Sequence, residues 1–342
     1  NGTTEKHNFY CNCPADARGV HGEQIRIGKA NMKNPVHQET FVIPDKVNKF
    51  LDQRDEEKPF CLSISYKSPH APWGDYDEMF EKNYDSLVMP IAASVNEKEA
   101  LSRPEFLRNS LNGFKDINRI KDAHNINGHI QNNMRDYYRL INGLDNSVGQ
   151  IVSELKKRGL YENTVIIFYS DNGHFMAEHG YHGKWLMYEE SIRVPGFIFD
   201  PRSIKDKVRS QEMVLNIDLA PTILELAGLD IPMHMEGKSL LPLLHDPTVK
   251  TRDDFFLEHH FKYKPGKNHI ERSEGIRTKD WKYIRYIDQE GAEMEELYHV
   301  AMDPLELSDL SEDSNSESKM DELRDRYQSY LNEFNDANSK GL

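Results

Sequence analysis

The sequence has little cysteine, no long apolar run and fewer basic than acidic residues. Its three cysteines, Cys11, Cys13 and Cys61, form neither a disulfide framework nor a zinc-binding spacing. No apolar run approaches the ~20 residues that a membrane-spanning helix needs. The 57 acidic residues outnumber the 43 basic ones, and the formal net charge is −14. This balance argues against nucleic acid or an anionic membrane as the main partner.

Length and composition are those of a globular protein. The 342 residues suffice for one large domain or two modest ones. The hydrophobic fraction of 37% is low, and the 10% of aromatic residues can build a sizeable core. Residues 1–6 do not form a signal peptide. A cluster of Lys, Arg and His can still bind an anionic ligand, because interactions with the distant acidic surface are screened beyond ~10 Å.

Hydrophobic periodicity predicts a helix followed by a strand in the middle of the chain. Between Met134 and Gly159, apolar residues recur at spacings of three and four, which is typical of an amphipathic helix. Lys and Arg residues suit its C-terminus, and Gly159 suits its left-handed cap. Residues 164–169 and 196–199 read as buried strands. The pattern predicts an α/β fold, a mixed sheet flanked by helices.

Shorter elements are predicted on either side of this region. Residues 41–51 read as a short helix, and the alternation in 59–66 predicts a strand. Residues 75–130 are polar, and a few short helices are expected there. Asp218 is a candidate N-cap of a helix that Gly228 closes.

The character of the chain changes after about residue 245. Three short strands with tight connections are expected to pair antiparallel, at 273–278, 281–287 and 294–299. A last helix is predicted from about Glu317 to Phe334. We therefore expect the α/β domain over residues 1–245. A C-terminal subdomain with a smaller antiparallel sheet and one helix is expected over 246–342.

The residues after the strand 164–169 are the best candidates for chemistry. The strand ends in Ser170-Asp171-Asn172-Gly173. A carboxylate and an amide oxygen at the end of a strand suit a hard cation such as Ca²⁺ or Mg²⁺. Asn172 in place of an imidazole favours calcium over zinc. Taken alone, the tetrapeptide would more often be a simple turn. The loop then supplies further polar side chains: His174, Glu178, His179, His182 and Lys184.

This stretch resembles the calcium-dependent, arylsulfatase-type sulfatases, and the resemblance covers roughly residues 40–310 in order. Upstream, Pro69-His70-Ala71-Pro72 is similar to the family's Pro-His-x-Pro loop. Further matches lie downstream: Asn216-Ile217-Asp218, Ala227-Gly228-Leu229, Ile276-Arg277-Thr278, Trp281-Lys282-Tyr283 and Glu296-Leu297-Tyr298. The resemblance implies the alkaline-phosphatase-like sulfatase fold.

The resemblance also implies roles for individual residues. Asp171 and Asn172 would be ligands of Ca²⁺. Lys184 and His70 would hold the sulfate, because a Lys ammonium is a compact charge for an anionic oxygen. His182 would exchange protons near neutral pH. Candidates for substrate contact are His174, His179, Trp73 and Arg277. Without the resemblance, a lone Lys184 or His70 would more often be a solvated surface residue.

One part of the family pattern is missing. Sulfatases carry a Cys/Ser-x-Pro-x-Arg motif whose first residue is oxidised to formylglycine, the nucleophile. No such motif occurs here, and the spacing in Cys11-Asn12-Cys13-Pro14 is wrong for it. The resemblance therefore implies the C-terminal portion of a sulfatase. The nucleophile and further metal ligands would come from a missing N-terminal segment or a second chain.

The expected function is hydrolysis of sulfate esters, on a sulfated carbohydrate or an aryl sulfate, with this chain alone inactive. A periplasmic or secreted location is implied by the resemblance, with the signal segment outside this chain. Two alternatives stay open. One is a phosphodiesterase or phosphonate hydrolase of the same superfamily, and the other is a non-catalytic relic that binds sulfated glycans.

Overall fold

The computed structural model describes residues 10–11, 36–202, 209–261, 269–288 and 294–339. The chain divides into two compact units. The first comprises residues 1–91 and 122–164, and the second comprises 92–121 and 165–342. The predicted boundary near residue 245 falls inside the second unit and stays a prediction. Residues 12–18, which carry the cysteine pattern after Cys11, lie outside the described residues.

The regular elements are as follows. The α-helices are α1 (Ile43–Gln53), α2 (Glu97–Ser102), α3 (Glu105–Arg108), α4 (Ile117–Lys121), α5 (His129–Lys157), α6 (Glu189–Ile192), α7 (Leu219–Leu226), α8 (Leu241–His245) and α9 (Glu317–Ser339). The strands are β1 (Tyr10–Cys11), β2 (Val36–His37), β3 (Ile166–Tyr169), β4 (Phe175–Met176), β5 (His182–Gly183), β6 (Gly196–Phe199), β7 (Asp254–His259), β8 (Ser273–Thr278), β9 (Lys282–Tyr286) and β10 (Met294–Tyr298). The mixture of helices and strands confirms the α/β class.

The first unit is built on the long helix α5. Its apolar stripe buries Met134, Leu140 and Leu155, which confirms the predicted periodicity. The helix ends at Lys157, and Gly159 follows with a φ of 67°. Helix α1 packs against α5. The buried carboxylate of Glu39 accepts a hydrogen bond from the backbone N–H of Ser68 (2.6 Å) and so fixes the start of the Pro-His-x-Pro loop.

The second unit is built on an antiparallel sheet in the order β7-β8-β9-β10. Because side chains alternate across a strand, each strand contributes to two cores. On one face, Tyr283 and Leu297 pack against the α9 residues Leu323 and Tyr327. On the other face, apolar residues of β9 and β10 pack against the segment 175–188. The sheet therefore directly supports residues 170–185, which contain the predicted site residues after β3 and which we call the functional loop.

Strands β3 and β6 pair antiparallel, with Ile166 opposite Phe199 and Tyr169 opposite Gly196. Both positions were predicted from the sequence. The expectation that these strands are buried was wrong in part, since Tyr169 and Phe197 are 54% and 53% exposed. Of the five C-terminal elements from β7 onward, β8, β9, β10 and α9 were predicted and β7 was missed.

The predicted strand at 59–66 is also wrong. These residues form no regular element, and Cys61, Leu62 and Ser63 are exposed. No described strand lies beside them, so their backbone groups have no described ladder partner. The short helices expected within 75–130 are present. Among the helices of the described part of the chain, none combines the length and apolarity needed to cross a membrane.

Candidate functional site

The turn after β3 carries the two predicted metal ligands. Asp171 is exposed, and its Oδ1 accepts a hydrogen bond from the backbone N–H of Asn172 at 2.8 Å. The Asn172 amide nitrogen donates to the carbonyl of Gly173 (2.7 Å), which fixes the orientation of the amide. Its Oδ1 accepts a hydrogen bond from the Lys184 ammonium at 2.8 Å. The structure therefore brings Asn172 and Lys184 together, as a shared site requires.

The loop between Asn172 and Lys184 is shaped by a short hairpin and an unusual backbone. Strands β4 and β5 pair antiparallel, with Phe175 opposite Gly183. Between them, Ala177 and His179 adopt positive φ values of 99° and 56°. Gly180 has a φ of 78°, and a Cβ there would lie 2.5 Å from the Cβ of Ala100. Glycine is required at this position because both the backbone angle and the space exclude a side chain.

His179 lies inside the protein, which corrects its assignment to substrate contact. Its side chain is 1% exposed, and its ring stacks on Tyr188 at 4.9 Å between centroids. Arg103 Nη2 lies 2.9 Å from Nδ1. Since a guanidinium can only donate, Nδ1 is the acceptor. The Nε2 atom faces Glu190 at 3.4 Å. The ring has no surface left for a ligand and holds the loop in place.

Arg103 is the centre of a buried polar network beneath this loop. Its guanidinium donates to the Tyr298 hydroxyl (2.7 Å) and to the carbonyl of Glu306 (2.8 Å), and pairs with Glu99. The neighbouring Glu296 accepts from the Tyr188 hydroxyl at 2.7 Å. Burial raises the pKa of Glu296 to about 7, against the opposing effect of the Arg103 charge. The network ties α2 and α3 to the sheet and to the loop.

A second buried network holds the end of the loop. Lys282, with no exposed surface, lies 2.9 Å from Glu189 and 2.6 Å from Glu306. Arg277 pairs with Glu189 at 3.0 Å. Burial opposes ionisation of Glu189, but Lys282 and Arg277 outweigh it and lower its pKa to about 2. Arg277 was predicted to border the substrate; its side chain is 16% exposed and braces α6 instead.

His182 is the histidine of this loop that is most open to solvent. Its ring makes an edge contact with Phe114 at 5.6 Å between centroids. Desolvation and the nearby Lys115 ammonium lower the pKa of His182 below its ordinary value. The neutral ring is therefore favoured without a ligand, and a bound anion would favour the protonated form. His174 is half-buried at the start of the hairpin.

The other two predicted residues belong to the first unit. His70 is exposed, and its Nδ1 donates to the carbonyl of Ala71 at 2.8 Å. Trp73 is half-buried and makes an edge contact with Tyr137 at 6.0 Å between centroids. Both lie in the Pro-His-x-Pro loop or directly after it.

The donors fit a hard cation in type but do not complete its shell. Asp171 and Asn172 offer oxygen atoms, whereas Ca²⁺ takes six to eight oxygen ligands. Within the described ranges, no group of three or more His, Cys, Asp or Glu residues is arranged to hold a metal ion. The Lys184 ammonium also occupies one face of the Asn172 oxygen. The described residues therefore supply only part of such a site.

Comparison with known proteins identifies the family. Residues 21–229 match the family described as Sulfatase, and residues 177–333 match the family described as N-sulphoglucosamine sulphohydrolase, C-terminal. The chain belongs to the sulfatase family. This confirms the resemblance predicted from the Ser170–Lys184 stretch and from the Pro-His-x-Pro loop.

Several characterised relatives are similar to this sulfatase chain. It is 28% identical to an N-acetylglucosamine-6-O-sulfatase of Bacteroides thetaiotaomicron, over 83% of this chain and 60% of the relative. It is 31% identical to an arylsulfatase of Clostridium perfringens, over 84% of this chain and 56% of the relative. The chain thus spans about 60% or less of the length of these relatives.

Solved structures confirm the sulfatase fold. One is a protein in complex with its substrate D-glucosamine-2-N,6-O-disulfate. It has a TM-score of 0.76 and 25% identity, covering 89% of this chain and 72% of that one. A phosphonate monoester hydrolase of Agrobacterium radiobacter has a TM-score of 0.65 at 23% identity, covering 89% and 61%. At 23% identity, the similarity to the phosphonate monoester hydrolase shows a shared fold alone.

Sequence reasoning missed the residues that hold the loop from below. Arg103 and Glu99 lie 76 and 80 residues before His179, and Asn112 lies 70 residues before His182. No local motif marks them. The only signal in the sequence is the presence of charged residues in short helices that otherwise read as a polar connection.

Proposed function

We propose that the protein carrying this chain is a sulfatase that hydrolyses sulfate esters on a sulfated carbohydrate. The observation that carries the proposal is the hydrogen bond from Lys184 to Asn172 at the end of β3, in a chain of the sulfatase family. This bond brings the Lys184 ammonium to the side-chain oxygen that we propose as a ligand of a hard metal ion. The carbohydrate is supported by the relative named N-acetylglucosamine-6-O-sulfatase and by the glucosamine disulfate complex.

The roles of the basic residues follow from their chemistry. Lys184 would contact a sulfate oxygen or the leaving oxygen, where a fixed ammonium stabilises developing negative charge. His182 would take up a proton when the sulfate arrives and give it to the departing alcohol. His70, from the Pro-His-x-Pro loop, would be a second contact to the sulfate. His174 and Trp73 would contact the remainder of the substrate.

The metal proposed is calcium, with Asp171 and Asn172 as two of its oxygen ligands. Both donors are hard oxygens of the kind that Ca²⁺ prefers, and the remaining ligands would come from outside the described residues. When bound, the cation would supply positive charge against the sulfate oxygens.

The nucleophile is proposed to be a formylglycine in a segment outside these 342 residues. Nothing in the sequence has the Cys/Ser-x-Pro-x-Arg spacing. An enzyme of this kind acting on extracellular glycans would be periplasmic or secreted. The similarity to an extracellular sulfatase homologue of Drosophila melanogaster, at 29% identity over 59% of this chain, supports that location.

The test is a substrate panel with the enzyme that includes its formylglycine segment. The panel contains sulfated glucosamines, unsulfated glucosamine, an aryl sulfate and an aryl phosphonate. We expect sulfate release from a sulfated sugar with the highest kcat/KM, and slower release from the aryl sulfate. Preference for the phosphonate would favour the phosphonate hydrolase alternative. Binding of sulfated sugars without any turnover would favour the non-catalytic one.

A further inference from the structure

The chain around Asn112 lies alongside the functional loop and is hydrogen-bonded to it, although Asn112 precedes His182 by 70 residues. We name residues 110–115 the clasp segment. Gly113 forms an antiparallel bridge with Tyr181, and the backbone N–H of Phe114 donates to the carbonyl of Gly180 at 2.8 Å. The backbone N–H of His182 donates to the carbonyl of Asn112, also at 2.8 Å. The clasp segment therefore fixes the return of the loop from Gly180 to His182.

The side chain of Asn112 extends this contact to Lys184. Its amide nitrogen donates to the carbonyls of His182 (2.8 Å) and Lys184 (2.6 Å). The side-chain amide of an asparagine carries two N–H donors, which matches these two acceptors. The residue between the acceptors, Gly183, has a φ of 83°, and a Cβ there would lie 3.3 Å from the Asn112 amide nitrogen. Asn112 and the glycine therefore approach each other closely.

The orientation of the Asn112 amide is set by these acceptors. Both groups facing it are carbonyl oxygens, so the NH₂ end must point toward the loop. The residue is 1% exposed, and its Oδ1 accepts no hydrogen bond from the described residues. A buried oxygen without a partner costs stability. The position of the Asn112 side chain therefore satisfies both of its N–H donors and leaves its oxygen acceptor without a partner among the described residues.

We propose that Asn112 is a positioning residue for sulfate ester hydrolysis, an inference that rests on the proposed function. It fixes the two carbonyls on either side of Gly183 and so sets the spacing between His182 and Lys184. With 1% of its surface exposed, Asn112 is not placed to contact a substrate. Its effect passes through Lys184, whose ammonium is bound to Asn172, and through the ring of His182.

The experiment compares three variants of the formylglycine-containing enzyme. Asn112→Ala removes both donors, and Asn112→Asp keeps the shape but sets a carboxylate against two carbonyls. Asn109→Ala is the control, because Asn109 is an exposed asparagine three residues earlier whose side-chain amide donates to Glu105. We expect Asn112→Ala to lower kcat about 10–10²-fold with a smaller change in KM, since small misplacements of catalytic groups cost this much. Asn112→Asp should lose at least as much, and Asn109→Ala should keep kcat.

A double-mutant cycle separates positioning from general stability. If Asn112 acts through Lys184, Asn112→Ala should lower kcat much less in a Lys184→Ala background than in the wild type. Fully additive losses would overturn the proposal. A kcat of Asn112→Ala within about twofold of wild type would also overturn it, as would an equal loss of kcat in Asn109→Ala at equal melting temperature.

A second measurement does not depend on activity. In the 342-residue chain, Asn112→Ala and Asn112→Asp should speed hydrogen exchange of the backbone amides at 182–184, and Asn109→Ala should not. Unchanged exchange in both Asn112 variants would refute the clasp itself. A wild-type enzyme without sulfatase turnover would instead refute the proposed function, and the exchange result would still decide whether Asn112 holds the loop.

Discussion

Lys184 lies where two structural constraints meet. Its ammonium binds Asn172 Oδ1, and its backbone carbonyl binds the amide of Asn112. The ammonium also lies 5.7 Å from the centre of the Trp185 ring. A lysine with a free side chain would adopt many rotamers, each of which must be given up on binding. Here the charge is already directed to the end of β3 before a ligand arrives.

Replacing Lys184 with Ala should lower kcat of the formylglycine-containing enzyme by roughly 10²–10³-fold, the loss typical of one preorganised charge-stabilising donor. The melting temperature should change little, because a half-buried lysine contributes little packing, typically within ~0.5 kcal/mol. Steady-state kinetics and a thermal melt are the measurements. Lys279→Ala is the matched control, since Lys279 is exposed and pairs only with Glu212 at 3.7 Å. A normal kcat in Lys184→Ala would remove Lys184 from the site.

Some of the side-chain contacts at the site could be predicted from the sequence, and others could not. The proximity of Lys184 to Asn172 follows from their common motif, twelve residues apart. The burial of His179 does not, because exposure depends on Tyr188 and Arg103, which come from other parts of the chain. Arg277 was likewise expected at a cleft, and its partner Glu189 lies 88 residues away. Pairings at such distances carry no local sequence signal.

Helix α6 is a single turn, and its stability comes from the groups that hold its first residue. The backbone N–H of Glu189 donates to Glu306 at 2.7 Å, and its carboxylate pairs with Lys282 and Arg277. So short a helix is not stable by itself. The element that follows the functional loop is thus fixed by buried charges on the C-terminal sheet.

Glu189→Gln should destabilise the second unit at neutral pH by about 3 kcal/mol, because it leaves Lys282 with one fewer buried counter-charge. The pKa of Glu189 is lowered from 4.5 to about 2 on folding. Its contribution is therefore fully present above about pH 4.5 and is lost as the pH falls toward 2. Urea unfolding at pH 7 and at pH 2 measures this difference.

The difference in unfolding free energy between the wild type and Glu189→Gln should be smaller at pH 2 than at pH 7. Asp253→Asn is the control, since Asp253 is 80% exposed and pairs with the exposed Lys250. It should shift the unfolding free energy by less than ~0.5 kcal/mol at both pH values. A difference in unfolding free energy that stays the same from pH 7 to pH 2 would contradict the lowered pKa of Glu189.

Elements with strong periodicity were predictable, and those defined by their partners were not. Helices α5 and α9 have apolar residues at helical spacing, a pattern that can be recognised without knowing which segments pack against them. The alternation in 59–66 is equally regular, yet a strand exists only where another strand pairs with it. Strand β7 was missed because Phe255, Phe256 and Leu257 run without alternation. It pairs with β8 along its whole length.

At the scale of the whole molecule, we propose that the chain carries part of a catalytic apparatus. It spans about 60% or less of the length of its characterised relatives. The exposed aromatic faces of Tyr169 and Phe197 lie on the strand pair that presents Asp171 and Asn172. The two proposed metal ligands thus follow an element whose apolar surface is only partly covered by the described residues.

The 342-residue chain alone should release no sulfate from an aryl sulfate or a sulfated glucosamine. It lacks the proposed nucleophile and most of the calcium ligands. The measurement is sulfate release over hours at high protein concentration, with the formylglycine-containing enzyme as positive control. Turnover that co-purifies with the chain and is lost in Lys184→Ala would require a different nucleophile within these residues.

Calcium should be needed by the complete enzyme and should be held weakly by this chain. Removing the metal with a chelator should abolish sulfatase activity, and added Ca²⁺ should restore it. Asp171→Asn should raise the Ca²⁺ concentration needed for half-maximal activity, because it removes one negative charge from the shell. Asp116→Asn, at an exposed carboxylate outside the motif, should not. Full activity after exhaustive metal removal would contradict the assignment.

The backbone of the functional loop bears on how it can be transferred. Within nine residues, five adopt a positive φ: Ala177, His179, Gly180, Gly183 and Trp185. Non-glycine residues in this region cost of order 1–3 kcal/mol each, so surrounding structure must impose them. A synthetic peptide of this sequence would therefore not adopt the shape. Transfer of the motif to another scaffold would also require the structure that supports it, namely residues 99–115 and the antiparallel sheet.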